Sequence, residues 1–212
     1  IKPTTDIVSK RLSYPVNYYY VQNKNSFIDM IDALGGLDVH VDTVFARANK
    51  LKTGFKRLNG WYIYEYISFI DRSHYSSSGN TKSLEDLKLN LKNIQIAYDE
   101  RQFRQKQVIG AIHRKIKELS ITDNKTIFQI IKKGILAKAV ETNIMADDAY
   151  KILKSLLNGK TAISFITLPG YYSEYGNKTY YYFTTPLNEI LKNETLKKQL
   201  KTKTDGKEQI LY

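Results

Sequence analysis

Residues 27–41, Phe-Ile-Asp-Met-Ile-Asp-Ala-Leu-Gly-Gly-Leu-Asp-Val-His-Val, are the most legible stretch of the 212-residue chain. Phe27, Met30, Ile31 and Leu34 fall at i, i+3, i+4 and i+7, the spacing of an apolar stripe along one helix face. Asn25 or Ser26 stands where an N-cap is wanted. Gly35-Gly36 ends the helix, because glycine adopts the left-handed conformation common just past a helix C-terminus. Leu37, Val39 and Val41 then alternate with polar residues, the period of a half-buried strand. Upstream, residues 16–22 (VNYYYVQ) read as an aromatic and β-branched strand, preceded by a short helix over 4–12. Strand, helix, Gly-Gly, strand places the chain in the α/β class.

Working outward, residues 43–59 read as a polar connection and Trp61 to Ile70 as a buried helix. A Ser/Gly/Asn-rich loop follows between Arg72 and Thr81. Leu84, Leu87, Leu91 and Ile94 mark one amphipathic helix, and a second pattern runs from Glu100 to Leu119. Further helices are expected near 125–139 and 146–157, and strands at 161–168 and 179–184, separated by a turn at Pro169-Gly170. There is no internal repeat and no dividing linker. The expectation is one domain over residues 1–190, followed by a basic, solvated tail over 191–212.

Composition narrows the chemistry. Hydrophobic residues make up 42% and charged residues 25%, which is globular and not disordered. The absence of cysteine excludes a disulfide framework, thiolate metal sites and cysteine nucleophiles. Thirty-three basic against 21 acidic residues give a net charge of +12, which attracts polyanions such as nucleic acid, anionic headgroups or phosphate-bearing polymers. No segment approaches the ~20 apolar residues that span a bilayer.

His40, His74 and His113 lie far apart without metal-ligand spacing, so no metal site is assigned. Gly35-Gly36 follows a helix and precedes a strand, the wrong polarity for a phosphate cradle. The strongest chemical candidate is Arg101-Gln102-Phe103-Arg104-Gln105, read as opening a helix. Arg101, Arg104 and Gln105 share one face at i, i+3, i+4, with Phe103 directed elsewhere; two guanidiniums and an amide suit phosphate oxygens. The competing reading is a solvated basic stripe paired with Asp99 and Glu100. No residue is assigned a catalytic role. Nucleic acid is a weaker alternative partner, since the lysines are scattered and no recognition motif stands out.

The order of segments resembles the LytR-CpsA-Psr family of bacterial cell-envelope proteins. The matching pieces are Tyr18-Tyr19-Tyr20-Val21, the 27–41 unit, Leu58-Asn59-Gly60 before Glu65-Tyr66-Ile67, Arg101 to Gln105, Val140-Glu141-Thr142-Asn143 and Leu168-Pro169-Gly170. The resemblance implies a three-layer α/β/α domain with a central mixed sheet. It also implies an extracytoplasmic location, on an N-terminal membrane anchor helix that is not in this chain. Family members bind a polyprenyl-(pyro)phosphate lipid with arginines and Mg²⁺, and transfer the linked glycopolymer to peptidoglycan. The resemblance thus implies a phosphotransferase of cell wall biogenesis, with Arg101, Arg104 and Gln105 binding phosphate and the Mg²⁺ ligands outside this chain. The partners implied are the lipid-linked polymer, peptidoglycan and the membrane surface.

The departures from the family pattern are specific. Two arginine positions fall on Ser68 and Ile70, an expected Asp falls on Tyr98, and residues 71–97 read as an insertion. Either Arg72, Lys88 or Lys92 replaces the lost charge, or the chain is a catalytically silent member that binds a polyprenyl-phosphate lipid, a glycopolymer or a protein partner.

Overall fold

The computed structural model describes residues 2–12, 15–73, 83–120, 132, 140–157, 165, 169–175 and 178–193. Helix α1 (Lys2–Leu12) is followed by a two-residue strand β1 (Tyr20–Val21) and helix α2 (Lys24–Ala33). The N-cap of α2 is Asn23, whose Oδ1 accepts from Ser26 N at 2.9 Å, so the cap sits two residues ahead of the expected Asn25. Gly35 and Gly36 have φ of 79° and 80°, as the helix stop requires. A Cβ at Gly36 would also lie 2.8 Å from Leu58 O.

Strand β2 (Leu37–Val41) buries Leu37, Val39 and Val41 as the alternation predicts. The expected polar connection over 43–59 instead contains helix α3 (Thr43–Asn49) and strand β3 (Gly54–Leu58), which pairs antiparallel with β2. Helix α4 (Gly60–Ser68) begins at N-cap Asn59, whose Oδ1 accepts from Tyr62 N. Gly60 N donates to Asp32 Oδ1 at 2.7 Å, and a Cβ on Gly60 would lie 2.2 Å from Ile28 O. Leu58-Asn59-Gly60 is therefore a strand end, a cap and a close helix contact in three successive residues.

Helix α5 (Leu84–Ser120) is continuous over 37 residues, about 55 Å at ~1.5 Å per residue, where the sequence suggests two helices. Residues 95–99 contain no Gly or Pro to break it, and Ile94 and Ala97 keep its apolar stripe buried across the join. Strand β4 (Glu141–Thr142) pairs antiparallel with β1. Asn143 fastens that pairing, accepting from Tyr19 N and donating to Asn17 O. Helix α6 (Ala146–Leu157) lies where expected. The hairpin is β5 (Gly170–Tyr175) and β6 (Lys178–Phe183), so Gly170 opens a strand and does not form the turn before one. Helix α7 (Leu187–Lys192) packs near α1. The expected helix at 125–139 and strand at 161–168 fall, apart from residues 132 and 165, outside the described residues, as does the tail beyond Asn193.

The α/β class holds, but the described strands form three two-stranded antiparallel ladders in place of one central mixed sheet. Side chains close off the edges of the β2–β3 pair. His40 N donates to Gln107 Oε1 at 3.3 Å, and His40 O accepts from Tyr66 Oη at 2.7 Å, taking groups that a further strand would use. On β3, Lys56 and Arg57 are exposed, and charged residues discourage pairing on such an edge. The core gathers Met30, Ile31, Val39, Val41, Phe45, Leu58, Ile63, Tyr66, Val108 and Ala111 between α2, α4, β2 and the middle of α5. Each fully buried large side chain contributes about 1.5–3 kcal/mol.

Candidate functional site

The 101–105 segment lies in the interior of α5, not at its start. Arg101, Arg104 and Gln105 all reach toward the C-terminal end of α4, whose last carbonyls lack intrahelical donors. Arg101 Nε donates to Ile67 O at 3.2 Å, and Gln105 Nε2 donates to the same oxygen at 3.2 Å. Arg104 Nη2 donates to Phe69 O at 3.2 Å. Cations placed there also interact favourably with the helix dipole. The shared face read from the sequence is present.

The three residues divide on exposure. Arg104 is 1% exposed, with Nη1 3.0 Å from Asp42 Oδ2 and its guanidinium 5.2 Å from the Phe69 ring centre and 5.9 Å from that of Tyr66. Asp42 is also the N-cap of α3, its Oδ1 accepting from Phe45 N at 2.8 Å. Arg104 thus ties α3, α4 and α5 together from inside. Its Nε has no hydrogen-bond partner among the described residues. The pairing with Asp99 and Glu100 suggested by the sequence is not the one Arg104 makes; Asp99 Oδ1 instead accepts from Gln95 Nε2 at 2.8 Å.

Arg101 and Gln105 line an open concavity of about 470 Å³ with Tyr98, Gln102, Lys106, Ile109 and Tyr172. Six of these seven are spaced along α5 at 98, 101, 102, 105, 106 and 109, a helix face read every three or four residues. The seventh, Tyr172, comes from β5. Its ring stacks on Tyr98 with centroids 4.3 Å apart at 29°, and its hydroxyl accepts from Gln102 Nε2. Burial pushes the Tyr172 phenol up, opposed by the Gln102 bond and by Arg101 and assisted by Asp99 and Tyr98. Two cations, two amides and an aromatic wall make a place for an anion with a ring attached.

Lys106 supplies the second cation, in place of Arg72, Lys88 or Lys92, which are all exposed and outside the concavity. Ser68 and Ile70 are half-buried beside the carbonyls that Arg101, Arg104 and Gln105 hold. Mg²⁺ takes hard oxygen ligands, chiefly carboxylates. No Asp or Glu lines the concavity, Asp42 is committed to Arg104 and the α3 cap, and no three His, Asp or Glu side chains cluster among the described residues. These residues do not fit the ion.

With this geometry in hand, comparison with known proteins is specific. The LytR_cpsA_psr family model matches residues 98–201, from the first residue of the concavity through the β5–β6 hairpin. Polyisoprenyl-teichoic acid–peptidoglycan teichoic acid transferase TagU of Bacillus cereus is 26% identical over 183 residues, covering 83% of this chain and 50% of the relative. TagU of Bacillus mycoides is 25% identical over 181 residues, with the same two coverages. The crystal structure of Bacillus subtilis TagV superposes with a TM-score of 0.61 at 23% identity, covering 94% of this chain and 70% of that one. Over residues 98–201 the chain is similar to the LytR-CpsA-Psr family, and it shares the fold of the solved TagV structure. It spans about half the length of the curated relatives it matches.

Proposed function

We propose that the protein works at the bacterial cell envelope, where it binds a polyisoprenyl-linked glycopolymer of the teichoic-acid kind and delivers it to peptidoglycan. The observation that carries this reading is Arg101 and Lys106 together on the α5 wall of one concavity, flanked by Gln102 and Gln105. In phosphoryl transfer, positioning and charge neutralisation supply most of the catalysis, and charge-assisted contacts are the strong ones. Ile67 O fixes the Arg101 guanidinium through Nε, leaving the rest of the fork for phosphate oxygens, while the amides add neutral donors. Arg104 acts behind the site as a positioning residue. The polyisoprenyl tail belongs in a bilayer, so on this reading the protein works at a membrane surface. Among the described residues no helix is long and apolar enough to cross a membrane.

A second reading, binding without transfer, is favoured by one observation. The observation is that Arg104 is already paired with Asp42, and the family resemblance adds that two expected arginine positions fall on Ser68 and Ile70. One experiment separates the two readings: polyprenyl pyrophosphate binding by the purified protein, followed by transfer of a labelled lipid-linked polymer to peptidoglycan. Binding that Arg101→Ala/Lys106→Ala abolishes, with release of polyprenyl phosphate, supports transfer. Binding without release supports the second reading. No binding overturns the transfer reading and leaves a silent member whose ligand is a glycopolymer or a protein partner.

A further inference from the structure

The β5–β6 hairpin presents two unlike faces. Tyr172 and Tyr181 turn toward α5, with ring centroids 4.6 Å apart and Tyr172 against Tyr98. On the opposite face, strand alternation and register bring together Tyr171, Ser173 and Tyr175 of β5 with Lys178, Tyr180 and Tyr182 of β6. Its four tyrosines are between 43% and 80% exposed. The Tyr171 and Tyr182 rings stack at 5.5 Å and 16°, and Tyr180, 43% exposed, stands opposite the small Ser173.

Cross-strand tyrosine pairs stabilise a hairpin, and Tyr172 with Tyr181 already do so against α5. Four more on the solvent side form an aromatic row without an aliphatic or acidic residue among them. An acyl chain calls for aliphatic surface, whereas a protein partner can also use tyrosines and would bind independently of any glycan. A pyranose strand calls for what is present here: π faces that attract the polarised C–H bonds on the flat side of a sugar, beside phenol hydroxyls for its hydroxyl groups. Tyrosine offers this area with only two side-chain torsions to fix. From Tyr171 to Tyr175 the row spans about 14 Å at ~3.4 Å per residue, enough for more than one sugar ring. Lys178, opposite Tyr175 at the end of the row, complements the carboxylates that peptidoglycan carries, as does the chain's net charge of +12.

We propose that the outer face of this hairpin holds a glycan strand of peptidoglycan, an inference that rests on the envelope function proposed above. The inner face of the same hairpin walls the concavity through Tyr172, so the polymer acceptor and the phosphate site would share one element.

The test is cosedimentation of the protein with purified peptidoglycan, both with its teichoic acid and stripped of it. Tyr171→Ser/Tyr182→Ser is compared with Tyr171→Phe/Tyr182→Phe, with circular dichroism reporting the fold. The Ser pair is expected to bind about tenfold more weakly or worse, a loss typical of interface aromatics. The Phe pair keeps the rings and is expected to stay within about threefold of wild type, since only secondary polar contacts are lost. Binding to stripped peptidoglycan and to β-1,4-linked N-acetylglucosamine oligomers is expected to persist. Equal binding by the Ser pair overturns the inference, as does a loss by the Phe pair as large as that of the Ser pair. Dependence on attached teichoic acid also overturns it, as does an equal loss in Arg101→Ala/Lys106→Ala. Polyprenyl pyrophosphate binding is read on the same variants. If it is absent while peptidoglycan is still held through Tyr171 and Tyr182, the transfer reading fails and the glycan surface stands.

Discussion

Asp42→Asn isolates the charge of the buried pair, because Asn still caps α3 through its side-chain oxygen. The change leaves the Arg104 guanidinium, 1% exposed, without its counter-ion. Uncompensated buried charges cost about 3–5 kcal/mol, and the lower end applies here because the Asp42 side chain is 35% exposed and water reaches it. Asp42→Ala removes the α3 cap as well and is expected to cost about 1 kcal/mol more. Arg104→Met is expected to be milder, about 1–2 kcal/mol. The stranded Asp42 can then hydrate, and only Phe69 O is left short of a donor. The double variant Asp42→Asn/Arg104→Met is expected to match Arg104→Met alone, giving a coupling of about 3 kcal/mol. Urea unfolding with unchanged slope measures all four. If Arg104→Met proves costlier than Asp42→Asn, or if Asp42→Asn unfolds with wild-type stability, the clamp reasoning is wrong.

The remaining expectations use other contacts. Gly60→Ala drives a Cβ to 2.2 Å from Ile28 O and should destabilise by about 2–3 kcal/mol, through separation of α4 from α2, in the same urea assay; wild-type stability would show that the two helices are not so closely packed. Tyr66→Phe removes the 2.7 Å bond to His40 O and should cost about 1 kcal/mol at neutral pH. Burial and Asp42 raise the Tyr66 phenol well above its ordinary 10.0, against a smaller opposing effect of Arg104. The neutral phenol's contribution is therefore complete below pH 10 and declines as the unfolded chain ionises and the pH climbs toward the raised value. Wild-type stability should fall from about pH 10 upward, and Tyr66→Phe should flatten that fall. Arg101→Ala/Lys106→Ala should lose binding of inorganic pyrophosphate, followed calorimetrically, yet stay within about 1 kcal/mol of wild-type stability, because Gln105 still holds Ile67 O.

What the sequence reveals depends on whether an element's environment is one-sided. The α2–Gly-Gly–β2 unit is legible because each element has one wet and one dry face, so its periods are clean. Strand β3 is exposed through Phe55, Lys56 and Arg57, so no alternation marks it, and the seven-residue α3 is too short to show a stripe. Strand β6 is read within one residue of its place, but β5 is missed because tyrosines occupy both faces of the hairpin and Pro169-Gly170 resembles a turn. Gly170 is there for a different reason: a Cβ would meet Tyr182 O at 2.4 Å. That Arg101, Arg104 and Gln105 share one helix face is legible from their spacing alone. The fate of Arg104 is also written in the spacing, since Ile94, Ala97, Arg104, Val108 and Ala111 lie on one buried stripe at steps of three, four and seven, whereas Arg101, on the same rhythm, stands where the stripe opens onto the concavity. Lys106 and Gln102 share the helix face of Tyr98 and Ile109, but nothing local announces that Tyr172, seventy residues away, completes the wall.

The uninterrupted course of α5 restricts how related sequences can change length. Within one and a half turns the helix sends Arg104 into the core and Arg101, Gln102, Gln105 and Lys106 to the concavity. Its later residue Gln107 seals the edge of β2. One residue gained or lost inside this span rotates everything on one side of it by about 100°, so that guanidinium, amide and apolar positions exchange places. No side-chain repacking mends such a rotation. Insertions and deletions are therefore expected before Leu84 or beyond Ser120, while the interior of α5 drifts by substitution alone. Among relatives, the gap-free interval around Arg101–Gln107 should serve as the fiducial mark for aligning chains whose other segments have diverged beyond recognition.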